Sequence, residues 1–176
     1  MIKSTPKVSI IIPYFKKKFF FKKTIKSIVN QTYTNFEIIV VYDDANLSEL
    51  NIVKKILKKT HHKIIINKKN IGVGFSRNTG IQYVKGKYIA FCDADDIWHK
   101  DKLKKQINFM EKKKLNFSHT SYKIIDNKEM TLGNFRIIYK LDYKSLLKSC
   151  DIATSSVVIR RNIFKSKKYF SNSKTK

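Results

Sequence analysis

Acidic residues are scarce in this chain, 13 Asp and Glu among 176 residues, yet Asp93, Asp95 and Asp96 fill three of the four positions of Asp93-Ala-Asp-Asp96. Carboxylates set side by side repel one another unless a cation neutralises them. A hard divalent ion such as Mg²⁺ or Mn²⁺ does so through oxygen ligands, and it commonly shares its shell with phosphate oxygens. The cluster therefore points to a metal-bound phosphate at Asp93 and Asp95. The plainer alternative is an Asp-rich turn followed by a helix, since Asp favours both turns and caps, and Asp101 reads as the cap of that helix. A second acidic pair, Asp43-Asp44, closes an apolar run, where either carboxylate could accept hydrogen bonds from a base or a ribose. A simple turn explains that pair equally well.

The loop Asn70-Ile-Gly-Val-Gly74 looks like a dinucleotide fingerprint, but Arg77 stands at the sixth position of the G-x-G-x-x-G pattern and the loop does not follow the first strand. It reads as close backbone packing, with Arg77 and Asn78 turned toward the same crevice. Arg77 is a phosphate or base contact in one reading and half of a surface salt bridge in the other. Histidine adds little. His61 and His62 read as exposed, His119 is uninformative, and His99 follows the aspartates closely enough to approach a phosphate or metal. Trp98 reads as a core or pocket-wall aromatic. No Ser/His/Asp or Cys/His arrangement can be assembled.

These residues need elements to hold them. Val8-Ser-Ile-Ile-Ile-Pro13 and Phe36-Glu-Ile-Ile-Val-Val41 are short apolar runs of buried-strand character. Between them Phe21, Ile25, Ile28 and Val29 recur at helical spacing, which makes a β-α-β unit. Leu50, Val53, Ile56 and Leu57 predict a second helix, 64–66 a third strand, 75–84 a third helix and Tyr88-Ile-Ala-Phe-Cys92 a fourth strand. Leu103, Ile107 and Met110 mark a fourth helix. The alternation predicts a mainly parallel sheet covered by helices on both faces, with ligands outside the carboxyl ends of its strands, where both acidic clusters fall. Beyond residue 116 the pattern loosens: 121–125, 137–139 and 155–159 read as strands, 143–149 as a helix, and 165–176 has no periodicity.

Composition sets the outer limits. A chain of this length with 42% hydrophobic residues can bury one sizeable core, so a single domain over 1–176 is expected. No apolar run approaches the roughly 20 residues that cross a bilayer, and the first residues lack a secretory signal, which leads to the expectation of a soluble, cytoplasmic protein. Cys92 and Cys150 form no CxxC pair and read as buried thiols. The formal charge of +25 is carried almost wholly by lysine spread over the helices. It reads as a solvated surface or as attraction to an anionic membrane, with no nucleic-acid motif to suggest specific binding.

Taken in order, several segments resemble the inverting glycosyltransferases of family 2, over nearly the whole chain. They are Val8-Ser-Ile-Ile-Ile-Pro-Tyr-Phe15, Ser27-Ile-Val-Asn-Gln-Thr32, Phe36-Glu-Ile-Ile-Val-Val-Tyr-Asp-Asp44, Asn70-Ile-Gly-Val-Gly-Phe-Ser-Arg-Asn78, Gly86-Lys-Tyr-Ile-Ala-Phe-Cys-Asp-Ala-Asp-Asp-Ile-Trp98 and Thr154-Ser-Ser-Val-Val-Ile-Arg-Arg161. The resemblance implies the GT-A fold, a Rossmann-like three-layer α/β/α arrangement with a mainly parallel central sheet. It implies a nucleotide-sugar donor, UDP-linked at the level of the family, held by Pro13, Phe15, Asp43 or Asp44, Asp93 and Asp95; Ala94 between the two aspartates, and Arg77 in its reading as a phosphate or base contact, complete the candidate set. It also implies Mn²⁺ or Mg²⁺ on Asp93 and Asp95, with Asp96 in support, and a glycan or lipid-linked acceptor in polysaccharide or lipopolysaccharide assembly at the inner face of the membrane.

The sequence departs from the family pattern in three places. Tyr14-Phe15-Lys16 stands where the family has Tyr-Asn. Tyr42-Asp43-Asp44 is one residue longer than usual, so both aspartates stay candidates. The family's Glu-Asp general-base pair follows the segment matching Ser155 to Arg161, whereas no acidic residue follows Asp151 here. The expectation is a chain that stops before its base. Its alternatives are a non-catalytic nucleotide-sugar-binding fragment and a basic binder of nucleic acid or membrane surface.

Overall fold

The computed structural model describes residues 6–136, 152–164 and 170. The expected strand at 137–139, the helix at 143–149, Cys150, Asp151 and all of 165–176 except Phe170 lie outside the described residues. The chain through residue 112 alternates as its periodicity demands: β1 (Val8–Tyr14), α1 (Lys18–Val29), β2 (Phe36–Tyr42), α2 (Leu50–Leu57), β3 (His62–Ile66), α3 (Val73–Ile81), β4 (Tyr88–Phe91) and α4 (Lys102–Lys112). Short strands follow: β5 (Phe117–Ser118), β6 (Tyr122–Ile125), β7 (Thr131–Phe135) and β8 (Val158–Arg160).

One six-stranded sheet runs β3-β2-β1-β4-β8-β5. β1 is parallel to β2 and β4, and β2 to β3, while β8 runs antiparallel to both β4 and β5. Every residue of β1 is buried, which is why it reads as a continuous apolar run rather than an alternating one. Its even-numbered side chains, with Ile38, Val40 and Tyr42, pack against Phe21, Ile25 and Ile28 of α1, Val53 and Leu57 of α2, and Leu103, Ile107 and Met110 of α4. Ile11, Ile39, Ile89 and Phe91 face the other way, toward Ile81 of α3. The sheet therefore lies between two helical layers, as the GT-A arrangement requires. The second layer sits close: a Cβ on Gly80 of α3 would meet Ile11 Cγ2 at 2.6 Å.

Several expectations need correction. Residues 122–125 do form a strand, but it pairs with β7 in a separate hairpin rather than joining the sheet. β8 begins only at Val158, because Thr154–Ser156 form a 3₁₀ turn. Val29 is 48% exposed and lies off the core-facing stripe of α1, one residue and so about 100° beyond Ile28.

The topology decides where a ligand fits. From β1 the chain passes to β2 and β3 on one side, then returns to lay β4 on the other. The crevice opens between the carboxyl ends of β1 and β4, at the point where the strand order reverses.

Candidate functional site

At that crevice lies a cleft of about 450 Å³, lined by Pro13, Tyr14, Phe15 and Lys17 after β1, Asp43 after β2, Asn70, Gly72 and Val73 before α3, and Asp93, Ala94 and Asp95 after β4. Of the eight residues expected to hold a donor, six line it: Pro13, Phe15, Asp43, Asp93, Ala94 and Asp95. The remaining two, Asp44 and Arg77, are absent from its lining.

The two candidate aspartates after β2 separate cleanly. Asp44 Oδ1 accepts the Asn46 N–H at 2.9 Å in a local turn. Asp43 is 2% exposed; its Oδ1 accepts from Asn67 Nδ2 at 2.8 Å and from Ile71 N–H at 2.9 Å, and its Oδ2 from Gly72 N–H at 2.9 Å. Gly72 reaches this position with φ 89°, a conformation that suits glycine. Asp43 thus pins the loop ahead of α3 against the floor of the cleft, and one lone pair of Oδ2 remains for a ligand N–H.

Arg77 is largely enclosed. Its side chain is 10% exposed and its Nη2 donates to Asp93 Oδ1 at 2.6 Å, so it acts on the cleft through Asp93. Lys17 Nζ makes the matching contact with Asp95 Oδ2 at 2.7 Å. Each aspartate keeps its second oxygen free of protein donors among the described residues. Asp96 is absent from the cleft lining, and loss of hydration raises its pKa, an effect that a hydrogen bond with Ser155 opposes. Tyr14 stacks on Tyr42 with centroids 5.3 Å apart and donates to Glu49 Oε2 at 2.6 Å; burial and that carboxylate raise its pKa.

Helix α1 holds the aspartate loop in place. Thr24 Oγ1 donates to Ala94 O at 2.9 Å, Trp98 N–H to Ser27 Oγ at 3.0 Å, and Gln31 Nε2 to His99 O at 2.8 Å while Gln31 Oε1 accepts from Leu103 N–H at 3.0 Å. Ser155 supports it from the other side, accepting from Asp93 N–H at 2.9 Å and, through its carbonyl, from Trp98 Nε1 at 3.0 Å. Sequence reasoning gave Thr24, Ser27 and Gln31 no part in holding this loop. The signal was present: Thr24, Ser27 and Gln31 recur at helical spacing inside an otherwise apolar face. Asp101 is also corrected. It stands at the start of α4 without a capping bond, and its Oδ1 accepts from Thr32 Oγ1 at 2.9 Å. His99 is solvent-facing, and Trp98 is buried in the wall beneath the loop.

The donor set suits a hard cation of a particular kind. Among the described residues no three His, Cys, Asp or Glu side chains form a metal site. Mg²⁺ and similar ions are usually held by one or two carboxylates plus substrate phosphates, and Asp93 with Asp95 offers that pair, each with one free oxygen at the cleft.

The glycosyl transferase family 2 model matches residues 9–166. The chain belongs to glycosyl transferase family 2. This family 2 chain is 37% identical over 158 residues to the Escherichia coli UDP-Glc:alpha-D-GlcNAc-diphosphoundecaprenol beta-1,3-glucosyltransferase WfgD, covering 89% of this chain and 61% of that protein. It is 32% identical over 160 residues to the Bacillus subtilis putative teichuronic acid biosynthesis glycosyltransferase TuaG, covering 89% of this chain and 63% of that one. The chain therefore spans about six tenths of the length of these relatives. Among solved structures, TarS 1-349 of S. aureus in complex with UDP-GlcNAc aligns with a TM-score of 0.70 at 24% identity, covering 90% of this chain and 46% of that one. The mannosyltransferase PcManGT from Pyrobaculum calidifontis in complex with GDP-Man and Mn²⁺ aligns at 0.68 and 14% identity, covering 92% and 46%. These structures share the fold. Among the described residues no helix is long and apolar enough to cross a membrane.

Proposed function

We propose that residues 1–176 belong to one domain that binds the donor of an inverting glycosyltransferase, which moves a sugar from a UDP-linked donor to a glycan or lipid-linked acceptor in cell-surface polysaccharide assembly at the cytoplasmic face of the membrane. The observation that carries this reading is the convergence of Asp93 and Asp95 with Asp43, Pro13 and Phe15 on one cleft at the point where the strand order reverses. The UDP link and the lipid-linked acceptor are supported by the name of the Escherichia coli relative.

Each residue then has a task. Phe15 and Val73, 40% and 52% exposed, offer apolar faces for a nucleobase on either side of the cleft, and Asp43 accepts from its N–H. Asp93 and Asp95 would hold Mn²⁺ or Mg²⁺ through their free oxygens; when bound, the ion supplies Lewis-acid stabilisation of the departing diphosphate. Arg77 fixes the orientation of Asp93, and Lys17 holds Asp95 while adding positive charge where phosphate oxygens arrive. Thr24, Ser27, Gln31 and Ser155 keep the aspartate loop from shifting, since positioning errors near 1 Å are expensive at such sites.

Titration with UDP in the presence of Mn²⁺ tests the assignment. Asp95→Asn should weaken UDP by about tenfold or more, because charge-assisted ligation is lost. Asp101→Asn, outside the cleft lining and with its Oδ1 accepting from Thr32 Oγ1, should change it less than about twofold. Equal effects of the two substitutions would show that the site is wrongly placed.

A further inference from the structure

The opposite end of the sheet carries a second cavity, of about 510 Å³, which donor binding leaves unused. It is lined by Lys7 ahead of β1, Lys85 and Lys87 in the turn ahead of β4, and Arg160 and Arg161 at the end of β8. Five of its eight lining residues are cationic, whereas a chain with 38 Lys and Arg in 176 residues would place about two there. The donor cleft, with one lysine among eleven lining residues, shows that a lysine-rich composition does not by itself make a basic cavity.

The frame around it is rigid. Inside the core Ser9 Oγ donates to Glu37 Oε1 at 2.6 Å; Lys85 N–H donates to the same oxygen at 2.8 Å, and Gly86 N–H to Ser9 Oγ at 2.8 Å. A Cβ on Gly86 would stand 2.6 Å from Ser9 N, so glycine alone lets the turn lie this close to β1. Arg161 N–H donates to Lys87 O at 2.9 Å, and its Nη1 donates to Val84 O at 3.2 Å and Lys85 O at 3.1 Å, which pins the guanidinium to the same turn. Arg160 Nε is buried and has no acceptor among the described residues. Nearby, Glu111 Oε1 takes Lys87 at 2.9 Å and Lys7 at 3.3 Å. The side chains of Lys85, Arg160 and Arg161 form no salt bridge among the described residues.

We propose that this cavity binds a phosphate group, with Arg160, Arg161 and Lys85 as its principal contacts. Planar guanidinium forks match phosphate oxygens, and a fixed fork loses little freedom on binding. The site is independent of the donor cleft, because the seven residues of β1 place the two ends roughly 20 Å apart. The phosphate is either the headgroup of an anionic phospholipid or a free phosphate compound, and the shared chemistry is the same.

The chain is titrated with inorganic phosphate while backbone amide resonances are followed, and is sedimented with vesicles of phosphatidylglycerol or phosphatidylcholine. Phosphate should shift the amides of 85–87 and 160–161 first. Arg160→Gln combined with Lys85→Gln should weaken binding about tenfold, whereas Lys54→Gln combined with Lys55→Gln, which removes the same charge from exposed α2 positions, should change it less than about twofold. Sedimentation with phosphatidylglycerol that fails in the first pair alone names the headgroup as the source; phosphate binding without sedimentation names a free compound. Lys85→Gln by itself, on an exposed side chain, repeats the comparison with Lys54→Gln should Arg160→Gln fail to fold. Equal losses in the two sets, or no binding of phosphate or phosphatidylglycerol, would overturn the proposal.

Discussion

Asp93 and Asp95 at the cleft each pair with a cation from their own chain, but the two pairs differ in kind. Arg77 is enclosed and fixes Asp93, whereas Lys17 and Asp95 have side chains 42% and 37% exposed. An exposed pair of that sort contributes only about 0.2–1 kcal/mol, so Lys17 adds little stability, while its positive charge opposes a metal arriving at the free oxygen of Asp95. Lys17→Gln is therefore expected to raise Mn²⁺ affinity in the absence of nucleotide by about two- to fivefold, read from the relaxation of water protons by Mn²⁺. Unchanged affinity would show that Lys17 does not compete for Asp95. The aspartates were legible in the sequence because acidic residues are rare and these are adjacent. Lys17 was not, since it is flanked by Lys16 and Lys18 and only the left-handed turn at Lys16, φ 50°, aims it across the cleft. Nor does residue type separate Asp43 from Asp44; the N–H groups of Ile71 and Gly72 do so, and they arrive from 28 and 29 residues away.

At the scale of elements, the site depends on how α1 and α4 grip the loop between them. Gln31 is 4% exposed and bonds both His99 O and Leu103 N–H. Gln31→Ala should lower unfolding free energy by about 1–3 kcal/mol in urea titrations, since it leaves a buried N–H unpaired, and should also weaken UDP although Gln31 does not line the cleft. Intact UDP affinity would separate the loop's position from its stability. Beneath the same loop Lys102 lies with Nζ 4.2 Å from the Trp98 ring and donates to Gln106 Oε1 at 2.7 Å. Burial lowers its pKa from 10.5 to about 7. Between those values the unfolded chain binds a proton that the folded chain does not, so this residue weakens the fold most at pH 7 and below, and the penalty fades as pH rises toward 10.5. Relative to Lys102→Met, the wild type should gain up to about 1.4 kcal/mol per pH unit between pH 7 and 10; parallel pH profiles would contradict the burial assigned to Lys102. The elements through α4 were legible because long apolar runs and 3.6-residue stripes are strong signals. β5 was not, with two residues whose strand character comes from pairing across the sheet rather than from their own pattern, and β8 was read three residues early, at 155–159 against Val158–Arg160.

As a whole, the molecule places its few aspartates and many cations at opposite ends of one sheet. Asp43, Asp93 and Asp95 meet at the carboxyl ends of the parallel strands, and Lys7, Lys85, Lys87, Arg160 and Arg161 meet at the other. The formal charge of +25 was legible from composition, but the gathering of five cationic residues at one cavity was not, because it depends on β8 entering antiparallel beside β4 and carrying Arg160 and Arg161 to the amino ends of its neighbours. Antiparallel entry also brings Ser155 beneath Asp93, so a single strand serves both ends. Family membership and fold agree with a donor site, and the central claim is that the cleft binds a nucleoside diphosphate through a divalent ion on Asp93 and Asp95. Calorimetric titration of the chain with UDP, once with Mn²⁺ and once with a chelator, tests that most directly. Saturable binding that appears with Mn²⁺ and falls by at least about tenfold with chelator is the predicted result, and equal affinity in the two titrations would contradict it.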